Sequence, residues 1–62
     1  MQIKKLIWID GCLLCVFYTP SHAWQYAVLF EDSRVYAPSE IYYTLEVAYR
    51  VGREVILATL ER

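Results

Sequence analysis

Three side chains in the 62-residue sequence could do chemistry: Cys12, Cys15 and His22. Cys12-Leu13-Leu14-Cys15 has the spacing of a redox or zinc pair, and His22 could add a third metal ligand. The surroundings argue against that use. Redox pairs of this kind open a helix, whose N-terminus lowers the thiol pKa. Here the pair lies in an apolar, β-prone run. On a strand, side chains three apart project to opposite faces. Their Cα atoms then lie roughly 10 Å apart, beyond disulfide reach. A fourth metal ligand is not evident. Both cysteines therefore read as structural, with a small thiol or metal protein as the rival. His22 follows Ser21 in a loop, with neither an orienting acid nor a strained nucleophile beside it. Asp10, Glu31 and Asp32 sit at turns, where such residues bond locally to the backbone. The expectation is no catalytic residue, no metal and no cofactor.

The elements that hold these residues can be read from pattern. Ile3 to Ile9 is apolar and rich in β-branched and aromatic residues, and Cys12 to Thr19 resumes that character after Asp10-Gly11. Two such runs joined by Asp-Gly predict a hairpin with a type I′ turn. It would pair Ile9 with Cys12, Trp8 with Leu13 and Leu6 with Cys15. Pro20 cannot donate to a ladder and ends the second strand. A third strand runs over 24–31, with Trp24, Tyr26, Val28 and Phe30 on one face. Gln25, Ala27, Leu29 and Glu31 take the other. A tight turn at Asp32-Ser33 leads to a short strand over 34–37 and sets Glu31 opposite Arg34. Ser39 is a favourable N-cap and Glu40 suits the first turn, so a helix is expected over 40–60. The architecture is one α+β domain over residues 1–62, an antiparallel β-meander of three to four strands with a long C-terminal helix packed on it.

Composition says what covers what. The chain is 58% hydrophobic and 16% aromatic, against roughly 45–50% apolar in an ordinary domain. A core this small cannot absorb the surplus. Advanced by about 100° per residue, Glu46, Arg50, Arg53, Glu54 and Glu61 fall on one arc with Tyr43 and Leu57. More than half the circumference is apolar or small, wider than the stripe needed to cover one sheet. The second strand is apolar on both faces, where a sheet with one wet face should alternate. Surface is left for a partner. The expected contact residues are Val47, Val51, Ala48, Gly52 and Tyr43 on a helix flank, and Trp8, Phe17, Trp24 and Tyr26 as an aromatic sheet face.

Gly11 to Phe30 carries no formal charge and is long enough to span a membrane, but Thr19-Pro20-Ser21-His22 breaks it with a turn. Lys4-Lys5, the apolar run and Ser21-His22-Ala23 imitate a signal peptide, yet Asp10-Gly11 interrupts the apolar part. A cytoplasmic domain without membrane contact is the expectation. The formal net charge is −1, which gives no basic footprint for nucleic acid. The reading is a small, non-catalytic protein-binding module, self-associating as a homodimer or higher and meeting another protein as adaptor, regulatory subunit or inhibitor. Small antagonists of phage or mobile-element type fit that size. The alternative is a dimeric nucleic-acid regulator using Arg50, Arg53 and Arg62.

Overall fold

Asp10 and Gly11 set the frame of the sheet. In the computed structural model, which describes residues 2–61, both take positive φ, 49° and 83°. That is the backbone a type I′ connection needs. Strand β1 (Gln2–Ile9) and strand β2 (Cys12–Tyr18) close on it, with Ile9, Trp8 and Leu6 opposite Cys12, Leu13 and Cys15 as the sequence predicts. One feature of β1 was not foreseen. The register slips between Ile3 and Lys5, so Lys4 is the extra residue of a β-bulge. The slip returns Ile3 to the face of its partner Phe17 instead of the face of Lys5.

Strand β3 (Trp24–Leu29) and strand β4 (Val35–Tyr36) complete an antiparallel sheet in the order β1-β2-β3-β4. Their two hairpin loops share one design. In the first, His22 N donates to Thr19 O and Thr19 N to Ala23 O; in the second, Ser33 N donates to Phe30 O and Phe30 N to Arg34 O. Each is a three-residue loop whose last residue is left-handed, His22 at φ 60° and Ser33 at φ 71°. This corrects the expected turn at Asp32-Ser33 and ends β3 at Leu29 instead of 31. Glu31 belongs to the loop, Phe30 faces Arg34, and Arg34 pairs with Asp32 (Nε–Oδ2 2.6 Å) instead of Glu31. Both partners are exposed, so the pair contributes little stability.

The helix also starts later than expected. Helix α1 spans Leu45–Leu60, capped by Thr44, whose Oγ1 accepts from Val47 N at 3.2 Å. Residues 40–44 are not helical, and Ser39 is not the cap. Tyr42 exchanges two backbone hydrogen bonds with Trp24, each 2.8 Å, which extends the chain beside β3 past the end of β4. Helix there would forfeit both bonds and lift the Tyr42 ring off the core. Ile41-Tyr42-Tyr43 is β-branched and aromatic, a composition that favours this outcome. No helix of the described residues is long and apolar enough to cross a membrane.

The core lies between α1 and one face of the sheet. Cys12, Leu14, Val16, Tyr26 and Val28 supply the sheet side; Ala48 and Ile56 supply the helix side, all essentially inaccessible to water. Ile7 and Ile9 close it from β1, and Leu45, Tyr49, Val51 and Val55 from the helix. Gly52 is the point of closest approach. A Cβ added there would lie 2.6 Å from Leu14 Cδ1 and 3.0 Å from Tyr26 Cδ1. Beside this contact Tyr26 stacks loosely with Tyr36 and Tyr42, centroids 6.3 and 6.1 Å away. Burial foremost, and the neighbouring phenols after it, push the Tyr26 hydroxyl up to about 12.

Two outcomes are expected from this packing. Gly52→Ala gains about 1 kcal/mol in helix propensity but overpacks a site where the buried Leu14 and Tyr26 side chains would have to shift, at a cost of roughly 1–3 kcal/mol. The net effect should be a loss, read as a lower denaturant midpoint; a gain would show that the helix can lift. The second concerns alkali. Tyr26 keeps its proton to about pH 12 when folded, whereas an unfolded tyrosine loses it near pH 10. The resulting stabilisation is complete below pH 10 and declines by up to about 1.4 kcal/mol per pH unit as pH rises toward 12. Tyr26→Phe should flatten that decline, and an unaltered pH profile would contradict it.

Candidate functional site

The two thiols are separated by the sheet itself. Cys12 is buried beneath α1, while Cys15 lies half-buried on the opposite face between its register partners Leu6 and Ala27. Burial raises the Cys12 thiol pKa, helped by the Glu31 and Asp10 carboxylates, and burial alone raises that of Cys15. Thiols held in the protonated form are poor nucleophiles and poor metal ligands. Among the described residues no group of three or more His, Cys, Asp or Glu side chains is placed to hold a metal. His22 is exposed, and its Nδ1 lies 3.0 Å from the Tyr18 hydroxyl, not from a carboxylate.

The expected helix flank does not form one surface. Ala48 and Gly52 face the protein's own sheet. Val51 packs half-buried against the core, and Val47 lies half-buried on the helix side beyond it. Tyr43 precedes the helix and is 85% exposed. The outer face carries Glu46, Arg50, Arg53 and Glu54, all exposed, two acidic and two basic. Arg62 lies outside the described residues.

The expected aromatic face divides in two. In register, Val16 pairs with Tyr26 and Phe17 with Gln25, so Tyr26 shares the covered face and Phe17 the other. Tyr26 is buried in the core. Trp24 packs partly against that core and on the Tyr18 ring, centroids 4.8 Å apart. Trp8 and Phe17 belong to the uncovered side. Residues paired directly across antiparallel strands lie side by side on one face, and on this face they form three rows. Trp8, Leu13, Leu29 and Val35 make the first; Leu6, Cys15 and Ala27 the second; Ile3, Phe17 and Gln25 the third. Gln25 is the one polar member, and its amide donates toward the backbone carbonyls of Ser39 and Glu40. No side chain of the three rows carries a charge. Trp8 is 70%, Leu6 58% and Val35 67% exposed.

The sheet is thus apolar on both faces and covered on one. Sequence reasoning found Trp8 and Phe17 but not the company they keep. Ile3 needed the bulge, while Leu29 and Val35 needed the lengths of the later hairpin loops. Leu6, Leu13 and Cys15 could have been assigned from the Asp10-Gly11 register alone. The face is distant in kind from a base-stacking surface, which interleaves aromatic and basic residues; Arg50 and Arg53 lie across the molecule on α1.

No family model, no curated protein and no solved structure matches the chain.

The placement of the thiols makes a chemical prediction. Mild oxidation of the native chain should leave no Cys12–Cys15 disulfide, and Cys12 should react with thiol reagents only at the rate of unfolding. Mass mapping of oxidised and alkylated peptides checks this. An internal disulfide formed without loss of the native far-UV spectrum would return the pair to redox chemistry.

Proposed function

We propose that the chain is a non-catalytic protein-binding module whose contact surface is the uncovered face of its sheet. One observation carries this reading: a continuous apolar face, centred on Leu13, Cys15 and Ala27, that no element among the described residues covers. Contiguous exposed apolar surface is rare on proteins that act alone and marks sites of association. Trp8 and Phe17 add anchors of the type that dominates interface energetics. The charge-free face suits burial against another protein surface better than contact with phosphate or with water. A role as adaptor, regulatory subunit or inhibitor follows from binding without chemistry, and self-association belongs to the same reading.

Site-specific photo-crosslinking in the native host tests it. A crosslinking amino acid at Trp8 should capture protein, its own chain or another, well above the level captured from the same probe at Glu54 on the charged outer face of α1. Double substitution Leu6→Lys with Leu29→Lys should abolish capture at position 8 and leave the fold's far-UV spectrum unchanged. Equal capture from positions 8 and 54 would refute the assignment of the contact surface.

A further inference from the structure

We infer that the occupant of the uncovered face is a second copy of the same chain, packed sheet against sheet about a two-fold axis. This rests on the contact-surface reading and adds the partner's identity. Three observations lead to it.

The first is charge. A two-fold axis sets the whole patch against its own copy, so a net charge on an isologous surface faces an equal charge across the contact. The three rows carry none, although 21% of the sequence is charged. The charges near the sheet lie at the β1 bulge and in the loops, and those of α1 lie on the far side of the molecule. Homodimer contacts are also the more apolar class, whereas contacts between proteins that part again are on the whole only about as apolar as the rest of the surface.

The second is relief. The Trp8–Leu13–Leu29 row is built of large side chains and stands as a ridge. The next row, Leu6–Cys15–Ala27, falls to small side chains at Cys15 and Ala27. It lies two residues along the strands, about 7 Å away. Ridge beside trough is self-complementary under a two-fold. With the axis between the two rows, the ridge of each copy seats in the trough of the other, and both contacts are made at once. Sheets packed face to face lie about 10 Å apart with strands crossing near −30°, a spacing these side chains fill. The resulting order of layers is helix, sheet, sheet, helix, with Glu46, Arg50, Arg53 and Glu54 of each copy turned to water.

The third is size. Three strands at about 4.8 Å and six or seven residues at about 3.4 Å, with the two residues of β4 added, give a face of roughly 350 Å² in projection. Side-chain relief raises its accessible area above that, toward the roughly 600–1,000 Å² per partner taken by stable interfaces. A second copy presents a face of the same extent, so each covers the other without remainder.

Cys15 reports on the arrangement because it lies at the floor of the trough, beneath the partner's ridge. Cys12, under α1 of its own chain, is the internal control. The experiment is sedimentation of the wild-type chain over a dilution series, with thiol alkylation mapped by mass at each concentration and mildly alkaline pH. At high concentration we expect a species of twice the 7.3 kDa chain and slow alkylation of Cys15. On dilution, monomer and rapid alkylation should appear together, with Cys12 unmodified throughout. Ala27→Phe fills the trough and should raise the dissociation constant at least tenfold. Trp8→Ala removes the ridge's largest member and should do the same, which keeps the test decisive if Ala27→Phe fails to fold. Monomer at every concentration, with alkylation of Cys15 independent of concentration, would overturn the second copy and leave the face free for a different protein. A dimer in which Cys15 alkylates freely and both variants associate as the wild type does would place the dimer contact elsewhere, overturning this inference while the contact-surface reading still stands or falls with the crosslinking at positions 8 and 54.

Discussion

The seating of α1 at Gly52, directly over Leu14 and Tyr26, is the contact on which the rest of the molecule depends. Without a side chain at that position the helix backbone comes close to β2 and β3, and Ala48 and Ile56 close the interface one turn to either side. The same contact sets a limit. A single 16-residue helix can cover one face of a sheet, and its apolar stripe is consumed in doing so. Since β2 alternates between side chains that are apolar in both directions, covering Leu14 and Val16 leaves Leu13, Cys15 and Phe17 without a lid. The bare face is therefore a consequence of chain length and of strand composition together. A chain with a second helix would have buried it, and a chain with polar residues at Leu13, Cys15 and Phe17 would have wetted it.

What could be read from the sequence follows the distance over which each signal acts. The Asp10-Gly11 turn is local and strong, so the first hairpin and its register from the turn back to Leu6 were legible, while the bulge at Lys4 was not. Alternation along β3 was legible too, because it needs only the period of a strand. The order of strands and the helix behind them followed from short connections. Beyond that range, features depend on contacts between segments. Thr44 and Ser39 are both acceptable caps; the choice between them was made by Tyr42, whose backbone pairs with Trp24 18 residues earlier in the chain. Trp24 and Tyr26 look like companions of Trp8 and Phe17 until the three-residue loop closed by Thr19 and Ala23 fixes which parity of β3 meets which parity of β2. The apolar excess was visible from composition, and so was the expectation that some of it would stay exposed. Its location was not, because a helix stripe and a strand face look equally unsatisfied until one is laid on the other. Gly52 shows this best. In the sequence it marks a place where a backbone can approach, and only the fold says that the backbone is the chain's own.

A bare apolar face on a sheet with free edges is ordinarily an aggregation hazard, because an edge strand can template further strands. This chain guards the edge and leaves the face open. The long edge is β1, and it is interrupted at Lys4 by the bulge, which twists a strand away from flat pairing. Lys5 beside it is held at 4.5 Å over the Tyr49 ring, a cation–π contact that ties the edge to the helix. The opposite edge is reduced to the two residues of β4 and is carried past them by the Tyr42 bridge, whose backbone bonds to Trp24 are made on the side that would otherwise remain free. Extended, open-ended strand addition is thereby opposed at both margins. Closed association through the face is not opposed anywhere, since no charge or bulge interrupts the rows from Trp8 to Ala27. The asymmetry is informative in itself: among the described residues, devices that prevent pairing are present at the edges, where pairing would propagate, and the rows from Trp8 to Ala27 carry none.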